Sequence, residues 1–172
     1  MAKSNKFEPI ENPEAFGTLY QSLKRGLADV EARGKLAISL HISGGLPSQS
    51  YHFDFRIAGN EVTNCELDCT LTGRKGNLES IVIEQDDYAL LLRALLERQV
   101  LEIPQETPRF LPDTVVGYLE VMDGESSQRI YFAADENQAS VQDKLPSPEL
   151  LATIEPIYLI AGKLLDMESV KP

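Results

Sequence analysis

Apolar and polar side chains alternate along residues 36 to 72. Leu36, Ile38, Leu40 and Ile42 alternate with Ala37, Ser39 and His41. Tyr51, Phe53, Phe55 and Ile57 alternate with His52, Asp54 and Arg56, and Cys65, Leu67, Cys69 and Leu71 with Glu66, Asp68 and Thr70. A period of two sends successive side chains to opposite faces, so this stretch predicts three strands, each buried on one side and wet on the other, as in an antiparallel sheet. The wet side is then a broad polar face without a deep cleft.

Around these strands the period changes to that of helices. Phe16, Leu19, Tyr20, Leu23, Leu27 and Val30 recur every three or four residues and predict a helix over 12–34, capped by Asn12 with Pro13 at its first position and ending near Gly34. Residues 1–11 precede it as a disordered lead, and residues 35–168 form a single α+β domain. Gly73-Arg74-Lys75-Gly76-Asn77 reads as a turn into a fourth strand near 79–84. Asp86 or Asp87 opens a second helix whose apolar face is Tyr88, Leu91, Leu92, Leu95 and Leu96. The proline-rich 104–113 is a stiff loop. Strands over 115–122 and 129–133 follow, joined through Asp123-Gly124, a hairpin signal. After a helical turn near 135–142, Ser147-Pro148-Glu149 starts a last helix, kinked by Pro156. The order α-β-β-β-β-α-β-β-α predicts a two-layer α+β fold, with about six antiparallel strands and the helices packed on one face.

Charge narrows the partners. The net charge is −11 and is uneven: residues 1–35 hold six basic and five acidic residues, whereas the rest hold ten and 22. Such a surface disfavours nucleic acid and anionic membranes, which are bound by clustered Lys and Arg, and it permits a small basic partner. No run of about 18 apolar residues and no apolar N-terminal segment occurs, which predicts a cytoplasmic protein. Cys65 and Cys69 lie four apart on one strand, roughly 13 Å at about 3.3 Å per residue, too far for an internal disulfide. Without a Cys-x-x-Cys partner they make no zinc site, and they read as reduced core residues.

Little in the chain carries chemistry. With Ile42 paired to Tyr51 across loop 43–50, His41 stands directly opposite His52, and Ser39 opposite Asp54. Side chains so placed are close enough to share a metal, with Asp54 or Asp68 as the carboxylate. The register of the second hairpin leaves open which acid is adjacent. The alternative is a solvated His pair on an exposed sheet. There is no Gly-x-Ser-x-Gly elbow, no histidine on the cysteine face and no Gly-Lys-Ser/Thr phosphate loop. The acidic pairs Asp86-Asp87 and Asp135-Glu136 stand at helix starts, where the helix dipole explains them. The chain is therefore read as non-enzymatic, without a cofactor. Two loops are candidate contacts for a protein partner: Leu46-Pro47, and Arg109-Phe110 braced between Pro108 and Pro112. An edge strand, or the stripe of the first helix, would alternatively make a homodimer.

One succession of motifs points to a family. A strand ending in Ser43-Gly44-Gly45, a strand meander, the Leu-rich helix from Ala89 to Glu97 and a Pro-rich link follow one another. Pro112-Asp113, the Asp123-Gly124 hairpin and a helix started by Ser147-Pro148 complete it. Over about residues 38–165 this resembles the emfourin-type inhibitors of thermolysin-like metalloproteases and their bacterial relatives. The resemblance implies a protease-inhibitor-like module without a catalytic set. The helix at 12–33 and a longer loop after Gly45 depart from that pattern, and no inhibitory residue is matched.

Overall fold

The computed structural model describes residues 13–98, 101, 114–124, 126–134 and 147–172. Helix α1 (Pro13–Ala28) leads into strands β1 (Leu36–Gly44), β2 (Tyr51–Ala58), β3 (Glu61–Cys69), β4 (Arg74–Leu78) and β5 (Ile81–Val82). Helix α2 (Gln85–Glu97), strands β6 (Val116–Asp123) and β7 (Ser126–Ala133) and helix α3 (Pro148–Leu165) complete the chain. The seven strands form one antiparallel sheet in the order β4-β3-β2-β1-β6-β7, with β5 also pairing β3. This is the α+β architecture that the alternation and the element order predict.

One core joins the sheet to all three helices. Ile38, Leu40, Ile42, Phe53, Phe55, Leu67, Leu119 and Val121 face Leu19 and Leu23 of α1, Leu91 and Leu92 of α2, and Ile154 and Ile157 of α3. Fully burying each such side chain stabilises the fold by about 1.5–3 kcal/mol. The stripe of α1 is thus spent inside its own molecule. Ser147 caps α3 by accepting a hydrogen bond from the Leu150 amide at 3.2 Å. Beyond α3 the chain turns back: Val170 is buried, its carbonyl accepts from the Tyr51 hydroxyl, and Arg74 donates to the carbonyls of Ser169 and Lys171. No helix among the described residues is long and apolar enough to cross a membrane.

Local chemistry moved three boundaries. The first helix stops at Ala28 instead of running to Gly34, because Asp29 takes an extended conformation and its carboxylate accepts from the Glu31 amide at 2.9 Å. That cap starts a short 3-10 turn, Val30–Arg33, which leaves Val30 exposed and tucks Arg33 inside. The fourth strand lies at 74–78, not 79–84. Its turn is the earlier 70–73, with Gly73 at φ +70°, so Arg74 already pairs with Cys69. Leu71, placed on the buried face by alternation, sits in that turn and is 68% exposed. The strand then breaks at Ser80, at φ +55°, before the short β5.

The register of β1 on β2 also differs from the expected one by two residues. Gly44 and Gly45, at φ +137° and +92°, lead the chain into a 3-10 turn over Pro47–Gln49, closed by the Gln49 amide on the Leu46 carbonyl at 2.8 Å. This compact connection lets β1 run on to pair Gly44 with Tyr51, so Ile42 faces Phe53 and His41 faces Asp54. A shift of two leaves every side chain on its expected face.

Candidate functional site

The sheet face turned away from the three described helices gathers the polar members of the alternation. Register places Glu66, Asp54, His41, Tyr118 and Tyr131 in one row across five strands, β3 to β7. Neighbouring rows hold Asp68, His52 and Ser43 on one side, and Asn64, Arg56, Ser39, Glu120 and Arg129 on the other.

Four rings touch in sequence along this face. His52 and His41 meet edge to face with centroids 5.5 Å apart, His41 and Tyr118 lie 5.4 Å apart, and Tyr118 and Tyr131 lie 5.7 Å apart. The Arg129 guanidinium lies 4.1 Å over the Tyr118 ring and donates to both oxygens of Glu120, at 3.3 and 3.1 Å. It also donates to the Tyr131 hydroxyl at 3.2 Å. The hydrogen bonds to Tyr131 and Glu120 raise its pKa above the ordinary arginine value, so Arg129 is a fixed positive charge clamped between ring and carboxylate.

The two histidines are diagonal neighbours, not directly opposite as expected from the longer loop, and each has its own carboxylate. His41 Nδ1 is 3.5 Å from Asp54 Oδ1, and His52 Nε2 is 3.7 Å from Glu66 Oε2. Asn64 donates to the other Asp54 oxygen at 2.7 Å. The hydrogen bond with His41 is the largest influence on Asp54. Together with Asn64 and the two imidazoles it outweighs partial burial and holds the carboxyl below the usual aspartate range. Asp68 stands opposite His52 in register, but its carboxylate pairs with Lys75 at 3.5 Å. Among the described residues no group of three or more His, Cys, Asp or Glu side chains is placed to hold a metal ion, so the His41/His52/Asp54/Asp68 set does not converge.

The shift of Asp54 makes a small, signed prediction. Its folded pKa is depressed, so the stabilisation is present above the unfolded value of about 3.9 and is lost as pH falls through the lower folded value. Asp54→Asn should lower the unfolding midpoint at pH 7 and converge with the parent near pH 2. The side chain is 38% exposed, so solvent screening keeps the difference below about 1 kcal/mol. Parallel thermal melts from pH 7 to 2 check it; a gap that persists undiminished at the acid end would contradict it.

Other candidates fall elsewhere. Leu46 is 45% exposed at the β1–β2 connection and Pro47 beside it is exposed, whereas Arg109 and Phe110 lie outside the described residues. Cys65 and Cys69 are free and buried, and burial pushes the Cys65 thiol up to about 12. At Cys69 burial also acts upward, but Thr72 and Arg74 hydrogen bonds outweigh it and bring the thiol below its ordinary value. A surface groove beside α3 is lined by Tyr158, Leu159, Met167 and Val170, away from the ring row. Tyr118, Glu120, Arg129 and Tyr131 were not singled out as site residues from the sequence. Their signal was the same alternation, since Tyr118/Glu120 and Arg129/Tyr131 each sit two apart beside buried Leu119 and Ile130. Comparison with protein-family models and with curated proteins gives no match.

Proposed function

We propose that this protein acts in the cytoplasm by binding another protein through the sheet face turned away from its described helices, and that it catalyses no reaction. The observation that carries this reading is the contiguous ring row, with Arg129 clamped at one end and side chains of the His41/Asp54 and His52/Glu66 pairs 31–41% exposed. Aromatic residues and arginine dominate the binding energy of protein interfaces, and a clamped arginine loses little freedom on docking. A partner covering this face would bury about 800 Å² on each side. The two free cysteines support a reducing compartment.

A photo-crosslinking amino acid placed at His52 should capture one defined partner in cells, while the same group at Leu90, an exposed position on α2, should capture none. The loop at Leu46 is the third position to probe. Crosslinks from position 46 alone would move the contact to the β1–β2 loop, and equal yields from positions 52 and 90 would defeat the reading.

A further inference from the structure

The open face is built from two units of the same kind, side by side. In the first, the Tyr118 and Tyr131 rings and the Glu120 carboxylate surround a guanidinium, that of Arg129. In the second, the His41 and His52 rings stand beside the carboxylates of Asp54 and Glu66. Here no lysine or arginine forms an ion pair with either acid among the described residues; the nearby Lys75 is taken by Asp68. The second unit therefore offers ring surfaces and two carboxylates that no described lysine or arginine occupies, with Asp54 Oδ2 accepting from Asn64 and Glu66 meeting His52.

We propose that this second unit is the docking point for an arginine side chain presented by a basic, extended segment of a partner protein. The inference rests on the proposed role of this face and specifies its partner. Three observations converge on it. The neighbouring unit demonstrates the geometry on the same sheet, with a planar guanidinium stacked on a ring and gripped by a carboxylate through both oxygens. Arginine fits this arrangement better than lysine because its flat fork both stacks and donates in parallel, whereas an ammonium does neither. Charge is complementary at both scales: among the described residues Asp54 and Glu66 are met by imidazoles and by no lysine or arginine, and the whole chain carries −11, which speeds the approach of a basic segment. A flat sheet face also suits an extended chain, whose alternate side chains point to one side.

The test uses the full chain and a fluorescein-labelled hexa-arginine peptide, with hexa-glutamine as the neutral control, read by fluorescence anisotropy at about physiological salt. Asp54→Asn and Glu66→Gln, singly and together, are compared with Glu97→Gln/Glu168→Gln, which removes two exposed acids away from this face. The expected result is saturable binding of hexa-arginine only. Each single variant should weaken it several-fold, the double variant at least tenfold, and the control pair less than twofold. Glu66 is 41% exposed, so its single variant reports on binding even if Asp54→Asn loosens the hairpin. An equal loss in the control pair would reduce the effect to bulk charge and overturn the proposal, as would an absence of binding. If hexa-arginine fails while crosslinking from position 52 still captures a partner, the cation inference falls and the role of the face stands. If both fail, both fall.

Discussion

Gly44→Ala should destabilise the protein by about 4 kcal/mol, a large part of the 5–15 kcal/mol that holds a typical domain together. Two independent faults add. Gly44 sits at φ +137°, a region that L side chains rarely enter, and forcing one there costs about 1–3 kcal/mol. A Cβ at this position would also overlap the carbonyl oxygen of Thr114 and stand 3.1 Å from its carbonyl carbon and from the Val115 Cα. These are backbone atoms at the entry to β6, so neither a rotamer change nor a flexible side chain relieves the clash. β1 and β6 would have to part where Ser43 pairs with Val116. Gly34→Ala is the matched control. Gly34 adopts φ −55°, ψ −33°, and nothing lies within 4 Å of its would-be Cβ. There the same substitution should stabilise by about 0.4–1 kcal/mol, because alanine restricts the unfolded chain more than glycine does. Urea unfolding of the two variants decides the matter: opposite shifts of the midpoint are expected, and a Gly44→Ala midpoint within error of the parent would refute the close-approach argument.

That pair of glycines also marks how far the sequence could be read. Alternation put residues 36–42, 51–57 and 65–69 on their correct faces, because a period of two survives any even shift in register. It gave no face for the start of β3, where a bulge opposite Arg56/Ile57 sets buried Val62 and Cys65 three apart. Alternation assigned Leu71 wrongly, because a period says nothing about where a turn begins, and the chain turns over 70–73, three residues before the expected start at Gly73. The ring row needed register as well as face. His41 could be placed on the open side from sequence, but its neighbours Tyr118 and Tyr131 come from strands more than 70 residues away, brought alongside by the β1–β6 pairing. Nothing local encodes that pairing. Glu66 rather than Asp68 became the partner of His52 for a similar reason, since β4 begins early enough to bring Lys75 onto Asp68.

Arg33→Ala should cost about 3 kcal/mol, the largest effect expected of any charged residue among the described residues. The residue is only 2% exposed and has no ion pair with a carboxylate among the described residues. Its charge is met by dipoles and a ring instead. Nε donates to the Gly26 carbonyl at 2.6 Å, one of the last carbonyls of α1, where a cation also meets the negative end of the helix dipole. One terminal nitrogen donates to Gln85 Oε1 at 2.6 Å and Asn60 Oδ1 at 3.5 Å, and the guanidinium lies 4.5 Å over the Tyr88 ring. One side chain thereby ties the end of α1, the β2–β3 turn and the start of α2 together, and the 3-10 turn capped by Asp29 delivers it there. Alanine would leave the Gly26 carbonyl and Gln85 unpaired and open a cavity beside Tyr88. Arg33→Met separates the two contributions: it refills most of the volume but restores no donor, so it should recover about half of the loss. Urea unfolding of both variants provides the measurement. If Arg33→Met matches the parent, packing alone explains the site and its hydrogen bonds contribute nothing net; if it is as unstable as Arg33→Ala, the donors carry the whole effect.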